Sequence, residues 1–222
     1  MKILVTAGGT EEPIDGVRRL SNRSSGATGG VLARHFVEQG AEVLLLHAKQ
    51  ARLTDVPCRR ETFVTFSDLE AALHHHLFEQ EWDAVVHLAA VSDYSVASVE
   101  VDGDEISPAG RGKIGTGHEL VIRLEANPKI IDSLKTWSLN SAIRVVGFKL
   151  TDEPDPVRRE EAVQKLMARG KTDLVVHNDL REIGKEHHTA SFYDPHGPVA
   201  HSETKEEMAT TLWRLILNGE TV

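Results

Sequence analysis

Lys2-Ile3-Leu4-Val5-Thr6, followed by Ala7-Gly8-Gly9-Thr10, is a short apolar run that ends in a turn of small residues. Such a run reads as a strand covered on both faces, as in a parallel sheet. A nucleotide-binding sheet usually places its glycine turn directly between the first strand and the first helix. Here a polar segment carrying Glu11, Asp15, Arg18, Arg19 and Asn22 intervenes. Only then does Asn22-Arg23-Ser24-Ser25-Gly26 open a helix predicted to run to about Glu38. That much chemistry at the carboxyl end of a first parallel strand points to a site that does more than hold a cofactor.

The pattern continues outward as strand and helix in alternation. Gly40 stands where a left-handed cap would end the first helix. Glu42–His47 reads as the second strand, and Ser67-x-x-Glu70 as a capping box before Leu69, Leu73 and Leu77 at helical spacing. Asp83–Ala90 is the third strand, and Leu120–Leu124 an extra one. Asn127-Pro128 reads as a helix start with an N-cap and a proline at the first helical position. Arg144–Phe148 is the next strand. Asp155-Pro156 starts another helix, with Val163, Leu166 and Met167 inward, and Asp173–His177 closes the parallel set. Ala190–Tyr193, the turn Asp194-Pro195-His196-Gly197 and Pro198–His201 suggest a hairpin. A last amphipathic helix follows the capping box Thr204-x-x-Glu207. No repeat, linker or boundary interrupts residues 1–222. The expectation is one α/β domain: a Rossmann-like, doubly wound, mostly parallel sheet with a C-terminal hairpin and helix. Ligands in such sheets lie beyond the carboxyl ends of the strands. The segments there are 7–25, 89–118, 148–155 and 178–188.

Composition narrows the class. A chain of 222 residues with 40% hydrophobic and 27% charged residues can bury an ordinary core. A formal net charge of −9 argues against binding a nucleic-acid backbone, while leaving room for a local basic pocket. Cys58 is the only cysteine, so no intrachain disulfide forms, and it reads as a packing thiol. No leader is expected before the first strand, and no apolar run approaches the roughly 18–20 residues needed to cross a bilayer. The cytoplasm is the expected compartment.

Several groups could carry chemistry, each against a plainer alternative. Gly8-Gly9 would let backbone N–H groups approach an anion, and Arg18 could add a forked contact to phosphate or carboxylate. The alternative is a structural turn beside a solvated arginine. Ala89 and its small neighbours would let a planar ring lie against the backbone, with Asp93 bonding a base or ribose; a plain strand-end turn would look the same. Residues 95–118 read as a long glycine-rich connection that could act as a lid. Within it, Arg111-Gly112-Lys113-Ile114 places a lysine able to neutralise charge on a transferring phosphate. Lys165 and Arg169 share a helix face and could hold a triphosphate, or could simply be solvated. His74-His75-His76 and His187-His188 look metallophilic but lack a second cluster at ligand spacing, so no metal ligands are assigned. There is no phosphate-loop lysine motif, no G-x-G-x-x-G after the first strand, and no G-x-S-x-G elbow. Tyr94 also lacks a lysine four residues on, which removes the pair that short-chain reductases use.

Taken together, these segments resemble phosphopantothenoylcysteine synthetase, also called phosphopantothenate–cysteine ligase. The resemblance is carried by T-A-G-G-T-E-E-P-I-D-G-V-R-R-L-S-N-R-S-S-G at 6–26 and A-A-V-S-D-Y at 89–94. G-K-I at 112–114, N-P-K-I-I at 127–131, G-F-K-L at 147–150 and D-L-V-V-H-N-D at 173–179 continue it in the family's order. The chain is similar to the stand-alone bacterial members, which implies a separate decarboxylase acting on the product.

The resemblance implies a reaction and roles. A nucleoside triphosphate, CTP in bacterial members or ATP, would activate 4'-phosphopantothenate with Mg2+ assistance. L-cysteine would then attack the acyl-nucleotide. Asn22 would hold the acyl carbonyl and the intermediate, with Arg18 supporting its loop. Lys113 would stabilise charge during nucleotidyl transfer. Ala89, Asp93, the turn Asn127, Pro128, Lys129, Ile130 and Ile131, and Phe148 would form the nucleotide pocket, with Lys165 and Arg169 facing the phosphates. A homodimer is implied as well. Gly115-Thr116 and Lys149-Leu150-Thr151-Asp152 depart from the common bacterial pattern, which bears on base choice more than on reaction class. Two other readings stay open: a nicotinamide-dependent reductase or epimerase, and a non-catalytic nucleotide-binding regulator.

Overall fold

The computed structural model describes residues 1–53, 55–108, 112–184 and 187–218. Strand β1 (Lys2–Ala7) leads into a small hairpin of β2 (Glu11–Pro13) and β3 (Arg19–Ser21), then helix α1 (Ala27–Glu38) and β4 (Glu42–Ala48). Strand β5 (Arg59–Phe63), α2 (Phe66–Glu79) and β6 (Ala84–His87) follow. A three-stranded ribbon comes next: β7 (Tyr94–Val101), β8 (Asp104–Ile106) and β9 (Leu120–Ala126). The chain continues as a 3-10 turn (Ile130–Asp132), α3 (Leu134–Trp137), β10 (Arg144–Thr151), α4 (Pro156–Met167) and β11 (Leu174–Asp179). It closes with β12 (Ala190–Asp194), β13 (Gly197–Ser202) and α5 (Lys205–Asn218). The central sheet runs β13-β12-β11-β10-β6-β1-β4-β5. Its strands from β11 to β5 are parallel, and β12 and β13 add antiparallel at one edge. The expected doubly wound sheet with its terminal hairpin and helix is therefore present.

Alternation of side chains along each strand assigns the two faces. Ile3, Val5, Val86, Val146 and Val176 pack beneath α1 and α5, while Leu4, Val85 and Val145 pack with residues of α2 and α3. Val175 meets Val163 and Met167 of α4. Gly29 lets α1 lie close to β1: a Cβ there would stand 2.4 Å from Ala7 Cβ. This is the close helix–strand packing that a glycine supplies in nucleotide folds, reached here without the usual glycine spacing. Gly29→Ala should therefore cost about 1–3 kcal/mol by overpacking. The checkable sign is a lower urea midpoint at unchanged slope; an unchanged midpoint would mean that α1 shifts freely.

Several local expectations need correction. Within 95–118, residues 95–101 and 104–106 are strand rather than structureless lid, whereas 112–118 carry no regular element. Tyr94–Val101 alternates through a buried Val99, and Asp102-Gly103 turns the chain with φ of 52° and 91°. Positive φ at both central residues is what a type I′ hairpin requires, and Asp-Gly is a favoured pair for it. Gly110 and Arg111 of that segment, and 185–186 of the segment 178–188, lie outside the described residues. Asn127 does not cap a helix. Its side chain accepts from Ser95 Oγ at 2.9 Å and donates to Ser92 O at 3.1 Å, and helical backbone begins only at Ile130. The capping box of α2 is Thr65 with Asp68, not Ser67 with Glu70. Starting at Phe66 puts Phe66 on the buried face with Leu69, Leu73 and Leu77, and its N–H finds Glu12 Oε1 at 2.8 Å. Among the described residues, no helix is long and apolar enough to cross a membrane.

Candidate active site

The ribbon leaves the sheet at Asp93 and returns at Asn127, whose N–H donates to Asp93 O at 2.9 Å. That bond, with Asn127 Nδ2 to Ser92 O and the Lys129–Asp93 pair, holds the residues after β6 and the Asn127–Ile131 turn side by side. Between them, the end of β10 and α4 lies a cavity of about 660 Å³, within the range of small-ligand sites. Ala89, Val91, Ser92 and Asp93 line one side, Pro128, Lys129, Ile130 and Ile131 the next. His87, Phe148 and Lys149 come from strand ends, and Arg158, Glu161, Lys165 and Arg169 from α4 and the residues after it. Ala89, Asp93, Pro128, Lys129, Ile130, Ile131, Phe148, Lys165 and Arg169 thus meet in one place. Asn127 stands behind them, bonded to Ser92 and Ser95.

The lining carries five basic side chains against two carboxylates, a local cationic pocket on a chain of net charge −9. Some of that charge is already committed. Lys129 pairs with Asp93, and Arg169 with Asp132. Lys149 and Lys165 have no ion pair among the described residues, so their charges are the ones left for an anionic ligand.

Asn22 touches the pocket's edge: its Nδ2 donates to Val91 O at 3.1 Å. Lys113 does not line the pocket. It is exposed beside a separate hollow that includes Asp15, Ile106 and His118. Asp15 builds the junction there. It accepts from Val17 N at 2.8 Å, Arg18 N at 2.6 Å and Ile114 N at 3.1 Å, and Arg18 Nε reaches it at 3.0 Å. Arg18 in turn donates to Ile114 O at 2.5 Å, and Gly16 N to Gly112 O at 2.9 Å. Arg18 is therefore a strut between the Asn22 loop and the Lys113 segment. Gly8 and Gly9 serve close packing: a Cβ at Gly8 would stand 2.6 Å from Ala48 Cβ, and one at Gly9 2.7 Å from Asn22 O.

Within His74-His75-His76 the side chains find different partners. His76 bonds Glu61 at 2.8 Å, whereas the His74 ring lies edge-on to Trp137. Among the described residues, no three potential ligands gather to hold a metal.

Beyond the cavity, a polar network ties α4 to β11. Thr151 Oγ1 donates to Asp179 Oδ2 at 2.5 Å, and Arg159 Nε lies 3.4 Å from the same carboxylate. Burial pushes the Asp179 carboxyl up, but the Thr151 hydroxyl, the N–H groups of Arg181 and Glu153 and the Arg159 charge outweigh it, leaving about 2. Burial also lowers His87 to about 4, and lowers His177. Both histidines bind protons less readily folded than unfolded, where the value is about 6.5. Their contribution is intact above that pH and is lost as pH falls, for His87 through about 4. The His87 part alone is on the order of 3 kcal/mol. Asp179 adds a second loss as pH falls from about 3.9 through 2. Unfolding free energies measured from pH 7.5 to 4 should decline; a flat profile would contradict the burial of both rings.

The family model described as DNA/pantothenate metabolism flavoprotein C-terminal domain matches residues 1–219. The chain belongs to this family. The coenzyme A biosynthesis bifunctional protein CoaBC of Thermococcus kodakarensis is 33% identical over 213 residues, covering 96% of this chain and 50% of that protein. The CoaBC protein of Escherichia coli K12 is 30% identical over 184 residues, covering 82% and 42%. This pantothenate-metabolism domain thus spans about half the length of the curated relatives it matches. The crystal structure of the DNA/pantothenate metabolism flavoprotein from Streptococcus pneumoniae superposes with a TM-score of 0.85 at 28% identity, covering 99% of this chain and all of that one. The family agrees with the resemblance that the motifs carry. His87, Lys149, Arg158, Glu161 and the anchoring role of Asp15 were not foreseen, because nothing in spacing alone aims these side chains at a cavity or a junction.

Proposed function

We propose that this domain is a nucleotide-dependent ligase of coenzyme A biosynthesis, joining 4'-phosphopantothenate to L-cysteine. The observation that carries the reading is that Ala89, Asp93, the Pro128–Ile131 turn, Phe148, Lys165 and Arg169 meet around one cationic cavity, with Asn22 bonded to its edge. The carboxylate oxygen of phosphopantothenate attacks the α-phosphorus of CTP or ATP. The bond to the β-phosphate breaks, and pyrophosphate leaves. The cysteine amine then attacks the acyl carbon, the acyl–phosphate bond breaks, and nucleoside monophosphate leaves as the nitrogen loses a proton. No side-chain nucleophile is needed.

Each group has a physical task. Phe148 and the isoleucines wall a planar base, and Lys165 neutralises phosphate, joined by Arg169 once the ligand draws it from Asp132. Asn22 donates to the oxygen that gains charge, and Lys113 offsets charge during nucleotidyl transfer. Mg2+ carried on nucleotide phosphates needs only one or two protein carboxylates, and Glu161, which lines the cavity and has no ion pair among the described residues, would supply one. Bound there, it would screen the phosphate charge. We further read the domain as a cytoplasmic homodimer whose product is decarboxylated at a different active site.

Purified protein with Mg2+, 4'-phosphopantothenate and L-cysteine should release pyrophosphate when CTP or ATP is added, and the better nucleotide identifies the base preference. No release with either, from folded protein that still binds nucleotide, would make it a binding protein instead.

A further inference from the structure

The nucleotide reading of the cavity leaves one of its floor residues unexplained. Sheet register sets Thr6 beside His87 and His87 beside Gly147, so the three positions share a face. Gly147 offers no side chain; a Cβ there would stand 2.7 Å from Ile131 Cδ1. The bare backbone keeps the floor open next to the imidazole. His87 is only 7% exposed, yet it lines the cavity.

The imidazole's orientation and tautomer follow from its neighbour. Thr6 Oγ1 lies 3.0 Å from His87 Nδ1 and already accepts the Ala89 N–H at 3.1 Å. Thr6 is fully buried. A buried hydroxyl left without an acceptor is costly, and His87 Nδ1 is the acceptor available to it. Thr6 therefore donates to Nδ1, and the ring carries its proton on Nε2. Burial keeps the ring uncharged near neutral pH. Nε2 has no partner among the described residues.

We propose that His87 Nε2–H is the donor that reads the heterocyclic base of the bound nucleotide, meeting a carbonyl or ring-nitrogen acceptor on its edge. The proposal rests on the nucleotide-site reading above. A neutral donor among Ala89, Ile130, Ile131 and Phe148 suits an uncharged planar ring, whereas Lys149 and Lys165 supply the charge that phosphates require.

The test is calorimetric titration of wild type, His87→Phe and His87→Gln with CTP, ATP and inorganic tripolyphosphate, each with Mg2+. His87→Phe keeps a ring but removes the donor, and should weaken the preferred nucleotide about tenfold. Tripolyphosphate affinity should stay within about twofold, since no base is present to lose a contact. His87→Gln restores an N–H and should recover most of the loss. In turnover, the nucleotide KM should rise while the KM for phosphopantothenate stays unchanged. Equal weakening of nucleotide and tripolyphosphate would overturn the proposal, as would an unchanged nucleotide affinity. If His87→Phe does not fold, His87→Ala carries the same expectations. Wild-type protein that binds neither nucleotide would overturn the site reading and this inference together; normal wild-type binding undiminished in the variants would overturn this inference alone.

Discussion

Asn22→Asp is expected to lower turnover at least about a hundredfold with the fold intact, the scale of losing one donor to a developing oxyanion. Asn22 is exposed, and its amide donates to Val91 O at the cavity edge. A carboxylate of the same shape cannot donate. It would instead repel that carbonyl and the substrate's own carboxylate. Little core packing is disturbed, so the melting temperature should hold. Lys113→Gln should give a loss of similar order for a different reason: it removes a positive charge while leaving a side chain of similar length. Lys113 is exposed, so stability should again be unaffected. Pyrophosphate release beside a thermal melt decides the matter. Full turnover in both variants would sink the assigned roles, even if the ligase reading survived.

Asp15→Ala should also cut turnover by about a hundredfold, the scale set by displacing a reactive group by around 1 Å. It does so without touching the cavity. Asp15 is buried, and it holds three backbone N–H groups and the Arg18 guanidinium at once. Its removal loosens the Ile14–Arg18 loop from the Gly112–Ile114 segment, leaving the Gly16 N–Gly112 O and Arg18–Ile114 O bonds to hold it. The backbone N–H groups of Arg18 and Val17, with that of Ile114 and the Arg18 charge, hold the carboxyl well below the usual carboxylate range. The junction is therefore fully formed above about pH 3.9 and is lost only as pH falls through the lowered folded value. If Asp15 acts by placing Lys113, then Asp15→Ala combined with Lys113→Gln should be no slower than Lys113→Gln alone. Multiplying losses would show that Asp15 acts elsewhere, and faster proteolysis near Ile114 in the single variant would report the loosened segment.

Much of the scaffold was legible. The segments 2–6, 42–47, 83–90 and 173–177 read as covered strands and form β1, β4, β6 and β11, and Asp155-Pro156 marked the start of α4, where Asp155 accepts from Val157 N. Other elements were hidden for identifiable reasons. Strand β5 reads Arg-Arg-Glu-Thr-Phe, an exposed edge with too few apolar positions to alternate. Strands β2 and β3 have three residues each, shorter than any periodicity can register. Of the ribbon, β9 was legible at Leu120–Leu124; β7 and β8 were missed although Asp102-Gly103 announced their turn, because neighbouring glycines made the stretch look irregular.

The site divides in the same way. The resemblance that the motifs carry named many of the side chains that line the cavity, from Ala89 to Arg169, but not His87, Lys149, Arg158 or Glu161. Sheet order decided the rest. Placing β6 between β1 and β10 sets Thr6, His87 and Gly147 in one row, a neighbourhood made by hydrogen bonds between strands far apart in sequence. The same tertiary contacts put Lys113 with Asp15 and Arg18 rather than in the cavity. Local propensity specifies which residues form an element; only the packing of elements decides which of their side chains meet.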